Sequence, residues 1–453
     1  MSKAMRQMSA SAERSGEASG EAAGQLGSDE ADGPRHEDKG TGSGLLAAAL
    51  TRENLQRAWK RVKANKGSAG VDGLDIEQTA KHLKTAWPTI REQLLQGTYR
   101  PNPVRRVTIP KLDGGGRELG IPTVTDRLIQ QALLQVLQPL LDPTFSEHSY
   151  GFRPGRSVHG AVMAARAYVQ EGRRIVVDVD LEKFFDRVNH DLLIDRLNKR
   201  IGDVGVTRLV RAYRNSGIMD GGITRTRDQG TPQGGPLSPL LANVLLDEVD
   251  KELERWGHCF VRYADDTNVY VRSHWAGKRG MALLRKLYAK LRLKVNEAKS
   301  AVASVFGRKF LGFSFWVAPG GKVPCKVASK PLATFKQRVR RLTRRCVGRS
   351  LEEVVERLRV YLLGWKGYYQ LVRTPRIWRG LDEWLRHRLR AIQLKQWKRG
   401  KTMYLELLAL GAKPAVARRV AANSRCWWRN SAKLLSSVLT IAYFDRLGLP
   451  RLS

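Results

Sequence analysis

The sequence is poor in cysteine: of 453 residues only Cys259, Cys325, Cys346 and Cys426 carry thiols, and no two form a C-x-x-C pair. Neither a zinc site nor a disulfide framework follows from that spacing, so buried structural thiols are expected. Long apolar runs are also missing, and nothing approaches the roughly 20 apolar residues of a membrane span. No basic amphipathic stretch ends in a lipidation motif. The N-terminus lacks the basic-then-apolar order of a secretory signal, since its first apolar stretch is "LLAAAL" at 45–50. An intracellular, cytoplasmic location is therefore expected. Negative charge is scarce: 43 acidic residues face 80 basic ones, for a net charge of +37. Such an excess calls for a polyanionic partner, and with no membrane signal that partner is nucleic acid.

What is present suffices for folding. The hydrophobic fraction is 42%, and the length suggests two or three domains. Residues 1–44 are rich in Ser, Gly, Ala and Glu and cannot offset chain entropy by burial, so a disordered tail is expected. Residues 45–90 show helical apolar spacing, broken by the turn-rich "NKGSAGVDGLD". "RPNPVRRVTIPKLDGGGRELGIP" predicts a hairpin with a glycine tip, and "TDRLIQQALLQVLQPLL" a helix capped by Thr125. "RRIVVDVDLEKFFD" begins with the texture of a strand and shifts to a helical period near Phe184. "SVFGRKFLGFSFWVAP" reads as further β structure, and beyond Ser329 the chain becomes helical and strongly basic.

The chemistry concentrates in "VRYADDTNVY", residues 261–270, where two aspartates sit between alternating runs. Neighbouring strand residues point to opposite faces, so Asp265 and Asp266 converge only if a tight turn bends the chain between them. Asp-rich turns are usually solvated loops. The pair gains meaning from "VVDVDLEKFFD", which puts Asp178 and Asp180 on one face of a strand able to lie beside that hairpin. Carboxylates from two strands suit paired magnesium ions and nucleotidyl transfer.

Together with "QGTPQGGPLSPLLANVLLDEVD", "SYGFRPGRSVHGA" and "GWKGYYQL", these strings resemble a bacterial group II intron reverse transcriptase with maturase function, from about Leu45 to the C-terminus. The resemblance implies an α+β right-hand polymerase with an antiparallel palm sheet, fingers and an α-helical thumb. Residues 45–90 would extend the fingers, 91–318 form fingers and palm, 331–410 the thumb or maturase domain, and 411–453 a basic segment that engages DNA. Asp180, Asp265 and Asp266 become the ligands of two Mg2+ ions, with Mn2+ able to substitute, while Asp178 and Asp186 become structural. The ions would activate a primer 3′-hydroxyl against the α-phosphate of a deoxynucleoside triphosphate.

Phe185 would exclude a ribose 2′-hydroxyl and Gln233 lie beside the incoming nucleotide, whereas Phe184 reads as core. Lys111 and Arg117 would neutralise the triphosphate, and Lys299 would serve as general acid near the leaving pyrophosphate. Arg153 and Arg156 contact template or stabilise the fingers, and the sequence does not choose between these. Hydrophobic packing accounts for most aromatics of "YLLGWKGYYQLV", whereas Trp427 and Trp428 belong to the segment that the resemblance assigns to DNA, with hydrophobic packing an adequate alternative. The implied partners are group II intron RNA, an RNA template, a DNA primer or target and deoxynucleotides. With Cys426 unpaired near the end at Ser453, endonuclease activity is not expected. The competing expectations are a splicing maturase with a vestigial polymerase and a domesticated enzyme of phage defence or repair.

Overall fold

Val176, Val177 and Val179 of "IVVDV" are buried, and they seed the sheet around which the first half of the chain folds. The computed structural model describes residues 44–110, 116–220, 223–225, 234–344, 348–432 and 434–453. All but the last residue of the expected 1–44 tail lies outside them, as do the glycine tip of the first hairpin and Cys346. The chain divides into two units, residues 1–168 with 172–303, and residues 169–171 with 304–453.

The first unit opens with helices α1 (Leu45–Ala49), α2 (Arg52–Ala64) and α3 (Ile76–Gln96), the last started by an Asp75–Gln78 capping box. Strands β1 (Val104–Pro110) and β2 (Gly116–Ile121) form the expected hairpin, in which Ile109 faces Arg117. Helix α4 (Val124–Leu141) is capped by Thr123, whose hydroxyl accepts from the Asp126 amide, and not by Thr125. Thr125 lies instead in the buried first turn of that helix. Then come α5 (Val158–Gln170), β3 (Ile175–Val179), α6 (Phe184–Arg187), α7 (His190–Ile201), α8 (Val204–Asn215), β4 (Ile218–Asp220) and β5 (Ile223–Arg225). Helix α9 (Ser238–Arg255), strands β6 (Cys259–Tyr263) and β7 (Asp266–Val271), helix α10 (His274–Lys290) and β8 (Ala301–Ser304) complete the series.

Two four-stranded sheets result, ordered β2-β1-β4-β5 and β6-β7-β3-β8. In the second, β7 pairs antiparallel with both β6 and β3. All of β7 after Asp266 is buried, which shows a strand covered on both faces rather than one that alternates between core and water. Helix α10 packs on β3 and β7, and Leu245, Leu246, Phe260, Val269, Leu284 and Tyr288 belong to one apolar cluster.

The second unit holds a short antiparallel pair, β9 (Phe313–Phe315) and β10 (Cys325–Val327), followed by helices from Ser329 onward. Phe335, Trp365 and Trp378 pack ring to ring in its core, with centroids 4.2 and 5.3 Å apart. The expectation of packed aromatics holds for Trp365 and Tyr369, whereas Trp428 is exposed and stacks on His387. Cys426, at the start of the short helix Trp427–Asn430, is likewise exposed and Cys259 half-buried, so among the described residues burial holds for Cys325 alone.

Candidate active site

The β6–β7 turn is the tightest in the sheet: Tyr263 pairs with Asp266, leaving only Ala264 and Asp265 between the strands. Ala264 adopts φ +59°, a left-handed conformation that costs an ordinary residue about 1 kcal/mol. Three contacts hold it there. The Arg262 Nη1 group donates to the Ala264 carbonyl at 3.0 Å. Residues 148–150 run beside Arg262, with Arg262 N donating to His148 O and Tyr150 N to Arg262 O, each at 2.9 Å. Gly151 lies so close to the Ala264 backbone that an added Cβ would overlap its nitrogen.

Arg262 is fully buried and is itself held by Asp250, through Nε at 2.8 and 2.9 Å, and by Asn243 at 2.9 Å. Asn243 also donates to the Gly151 carbonyl at 2.9 Å. Burial pulls the guanidinium down, yet the charge of Asp250 and its bonds carry Arg262 above its ordinary value. Burial pushes the Asp250 carboxyl up against the opposing pull of Arg262. None of this was foreseen from sequence, because an arginine in an alternating strand ordinarily reads as a surface residue.

Asp180 directly follows β3. The β3–β7 register pairs Val179 with Thr267, so the next position along brings Asp180 beside Asp266 at the turn. Its backbone is fixed by Asn296 N donating to Asp180 O at 2.8 Å and by Ser300 Oγ accepting from Asp180 N at 3.1 Å. The same 296–300 turn presents Lys299, whose Nζ stands 3.1 Å from Asp180 Oδ2. That oxygen is buried and accepts no hydrogen bond, so the ammonium balances its charge without satisfying its lone pairs.

The three carboxylates do not form a ready-made metal cluster among the described residues. Like charges brought to one place repel, and Lys299 draws one of the three aside. The donor set nevertheless fits a hard divalent cation: carboxylates at adjacent strand ends, one with an unsatisfied buried oxygen.

Phe184 is buried in the core and Phe185 half-buried beside it, with ring centroids 5.0 Å apart. Asp178 sits within β3 opposite Asn268, and Asp186 in the first turn of α6, its amide donating to Lys183 O. Lys111 and Gln233 lie outside the described residues, as does the side chain of Arg117.

The two arginines of "GFRPGRS" have structural partners. Arg153 is buried and bonds to Asp142 at 2.9 Å and to the carbonyls of Ser149 and Asp142 at 3.1 and 2.8 Å. Arg156 pairs with Glu147 and lies over the Tyr150 ring at 5.6 Å.

Comparison with known families agrees with this geometry. Residues 109–315 match the family described as reverse transcriptase (RNA-dependent DNA polymerase), and residues 332–408 match the group II intron, maturase-specific domain. The chain belongs to the reverse transcriptases of the group II intron type. It is 34% identical over 260 residues to protein YkfC of Escherichia coli K12, covering 53% of this chain and 68% of that one. It is 36% identical over 248 residues to the group II intron-encoded protein LtrA of Lactococcus lactis subsp. cremoris, covering 52% of this chain and 40% of LtrA. Membership of this family implies a divalent metal-dependent polymerase. No helix among the described residues is long and apolar enough to cross a membrane.

Proposed function

We propose that the chain is an RNA-directed DNA polymerase that extends a primer 3′-hydroxyl with deoxynucleotides on an RNA template, at Asp180, Asp265 and Asp266. The observation that carries this reading is the register placing Asp180 beside the Ala264–Asp265 turn, with its Oδ2 buried and unsatisfied. Two magnesium ions, held by these carboxylates, would supply charge to the attacking and leaving oxygens of the transfer. The rest is the work of the chain itself. Arg262, Asn243 and Gly151 fix the backbone of the turn that carries Asp265, so on substrate binding the adjustment falls to the carboxylate side chains and to Lys299, which must release Asp180. Lys299 stands where an ammonium can neutralise charge on the departing pyrophosphate or give it a proton.

Phe185 serves as the barrier to a ribose 2′-hydroxyl, while Phe184 anchors it from the core. Lys111, Arg117 and Gln233 complete the nucleotide site. The helical region 331–410 holds intron RNA and assists splicing, in keeping with the chain's +37 charge. The protein works in the bacterial cytoplasm, on the nucleoid when it engages DNA.

Asp265→Asn tests both roles. It should lower primer extension on an RNA template by about a thousandfold, the order expected for several kcal/mol of lost charge stabilisation. Intron RNA binding and splicing of the flanking intron should persist. Undiminished extension would remove the assigned site; absence of extension in the parent chain, with splicing intact, would leave a maturase whose polymerase is vestigial.

A further inference from the structure

The far end of the β6–β7 hairpin, away from the catalytic turn, carries two tryptophans that packing does not explain. Trp256 follows α9 just before β6 begins, and Trp275 opens α10 just after β7 ends, so both lie at that end. They are 62% and 67% exposed, the most exposed large apolar side chains among the described residues. Each is nevertheless oriented. The Trp256 indole N–H donates to Glu252 Oε2 at 3.3 Å, and Arg279 lies over the Trp275 ring at 4.6 Å, covering one face. Strands of five to six residues put this end roughly 17 Å from Asp265.

The charges around the rings point to one kind of occupant. Arg272, Lys278 and Arg279 are exposed and make no ion pair among the described residues. The neighbouring carboxylates are already engaged, Glu252 by Arg255 at 3.3 Å and Glu254 by Lys251 at 3.3 Å. A second copy of this chain would bring the same cations face to face, and an apolar protein surface would bury them unpaired. A flexible polyanion with flat aromatic groups answers both features.

We propose that Trp256 and Trp275, with Arg272, Lys278 and Arg279, form a second nucleic-acid site. It takes an unpaired strand whose bases stack on the open indole faces and whose phosphates meet the three cations. A duplex is excluded from this mode because its bases are already stacked and shielded. The site is separate from the polymerase carboxylates and does not depend on their chemistry.

The test uses the full chain saturated with unlabelled primer–template duplex, so that the polymerase cleft is filled. Fluorescent oligo-dT and oligo-rU of about eight nucleotides, within the span of single-strand sites, are titrated in and read by anisotropy. The double variant Trp256→Ala/Trp275→Ala should bind them at least about fivefold more weakly, the lower end of what stacking one base contributes. Arg272→Glu/Lys278→Glu should weaken binding further and flatten its salt dependence.

The dT and rU arms distinguish a DNA strand from an RNA strand. Affinity within twofold of the parent in both variants would overturn the proposal. So would equal competition by blunt duplex, or a dimer in sedimentation that Trp275→Ala dissolves. Thermal midpoints check folding; if the tryptophan variants unfold, the charge-reversal pair at exposed positions decides. Since anisotropy requires no extension, a chain that binds the strand but extends nothing keeps this site and loses the polymerase reading. An Asp265→Asn protein should bind the oligonucleotides like the parent.

Discussion

The Lys299 ammonium lies 3.1 Å from Asp180 Oδ2, and this pairing offsets one negative charge at the proposed polymerase centre. It makes the lysine a competitor for the carboxylate that a divalent ion needs. Lys299→Ala should therefore lower the divalent-ion concentration that gives half-maximal primer extension. Loss of the amine as acid should at the same time reduce turnover by about a hundredfold. Steady-state extension across a magnesium titration reads both effects, and a variant matching the parent in both would take Lys299 out of the site.

Arg262 and Asp250 form a fully buried ion pair with an extra bond to the β6–β7 turn. Removing one partner strands the other, at a cost of about 3–5 kcal/mol. Arg262→Met should show that loss in denaturant unfolding, whereas Arg262→Met combined with Asp250→Leu should recover much of the stability. Extension should not recover with it, because the Ala264 carbonyl still lacks its donor. A double variant with full extension would refute the positioning role.

The two phenylalanines of "KFFD" should separate cleanly. Phe184 is a buried core residue, and its truncation to Ala should cost about 3–5 kcal/mol of stability. Phe185 is half-buried, so Phe185→Ala should cost less stability and raise ribonucleotide incorporation relative to deoxynucleotide by about tenfold or more. Competitive incorporation assays would decide, and unchanged sugar selection would assign Phe185 to the core with its neighbour.

His258 gives a pH prediction. Burial, and then the nearby Arg279 charge, hold its imidazole below the ordinary value. A base depressed on folding contributes stability that is fully present above its unfolded pKa of about 6.5 and is lost as pH falls through the folded value. The thermal midpoint should drop on acidification from neutral pH to about 5, and His258→Gln should drop less. Parallel curves for the two proteins would contradict this.

Much of the palm could be read directly from local pattern. The β-branched run before Asp180, the hairpin around the paired aspartates and the helical shift at Phe184 each depend on period and turn chemistry over a few residues, although the bend falls at Ala264–Asp265 and not between Asp265 and Asp266 as expected. The cap of α4 was misplaced by two positions because Thr123 and Thr125 are both good caps, and only the Asp126 amide shows which is used. Arg262, Asp250, Asn243 and Gly151 escaped notice for a different reason. Their partners lie 12 to 92 residues apart, and no local spacing announces such a pairing. Lys299 was singled out by motif, but its contact with Asp180 comes from a sheet crossing that the sequence does not spell out. The roles of Arg153 and Arg156 were open for the same cause, since their acceptors belong to the 142–149 loop fold.

The absence of a side chain at residue 151 has a practical corollary for anyone reshaping this enzyme. With the Ala264 nitrogen filling the space that a β-carbon at 151 would need, position 151 is effectively part of the β6–β7 turn, although more than a hundred residues separate the two in the chain. Libraries aimed at new templates or altered fidelity should leave that glycine untouched.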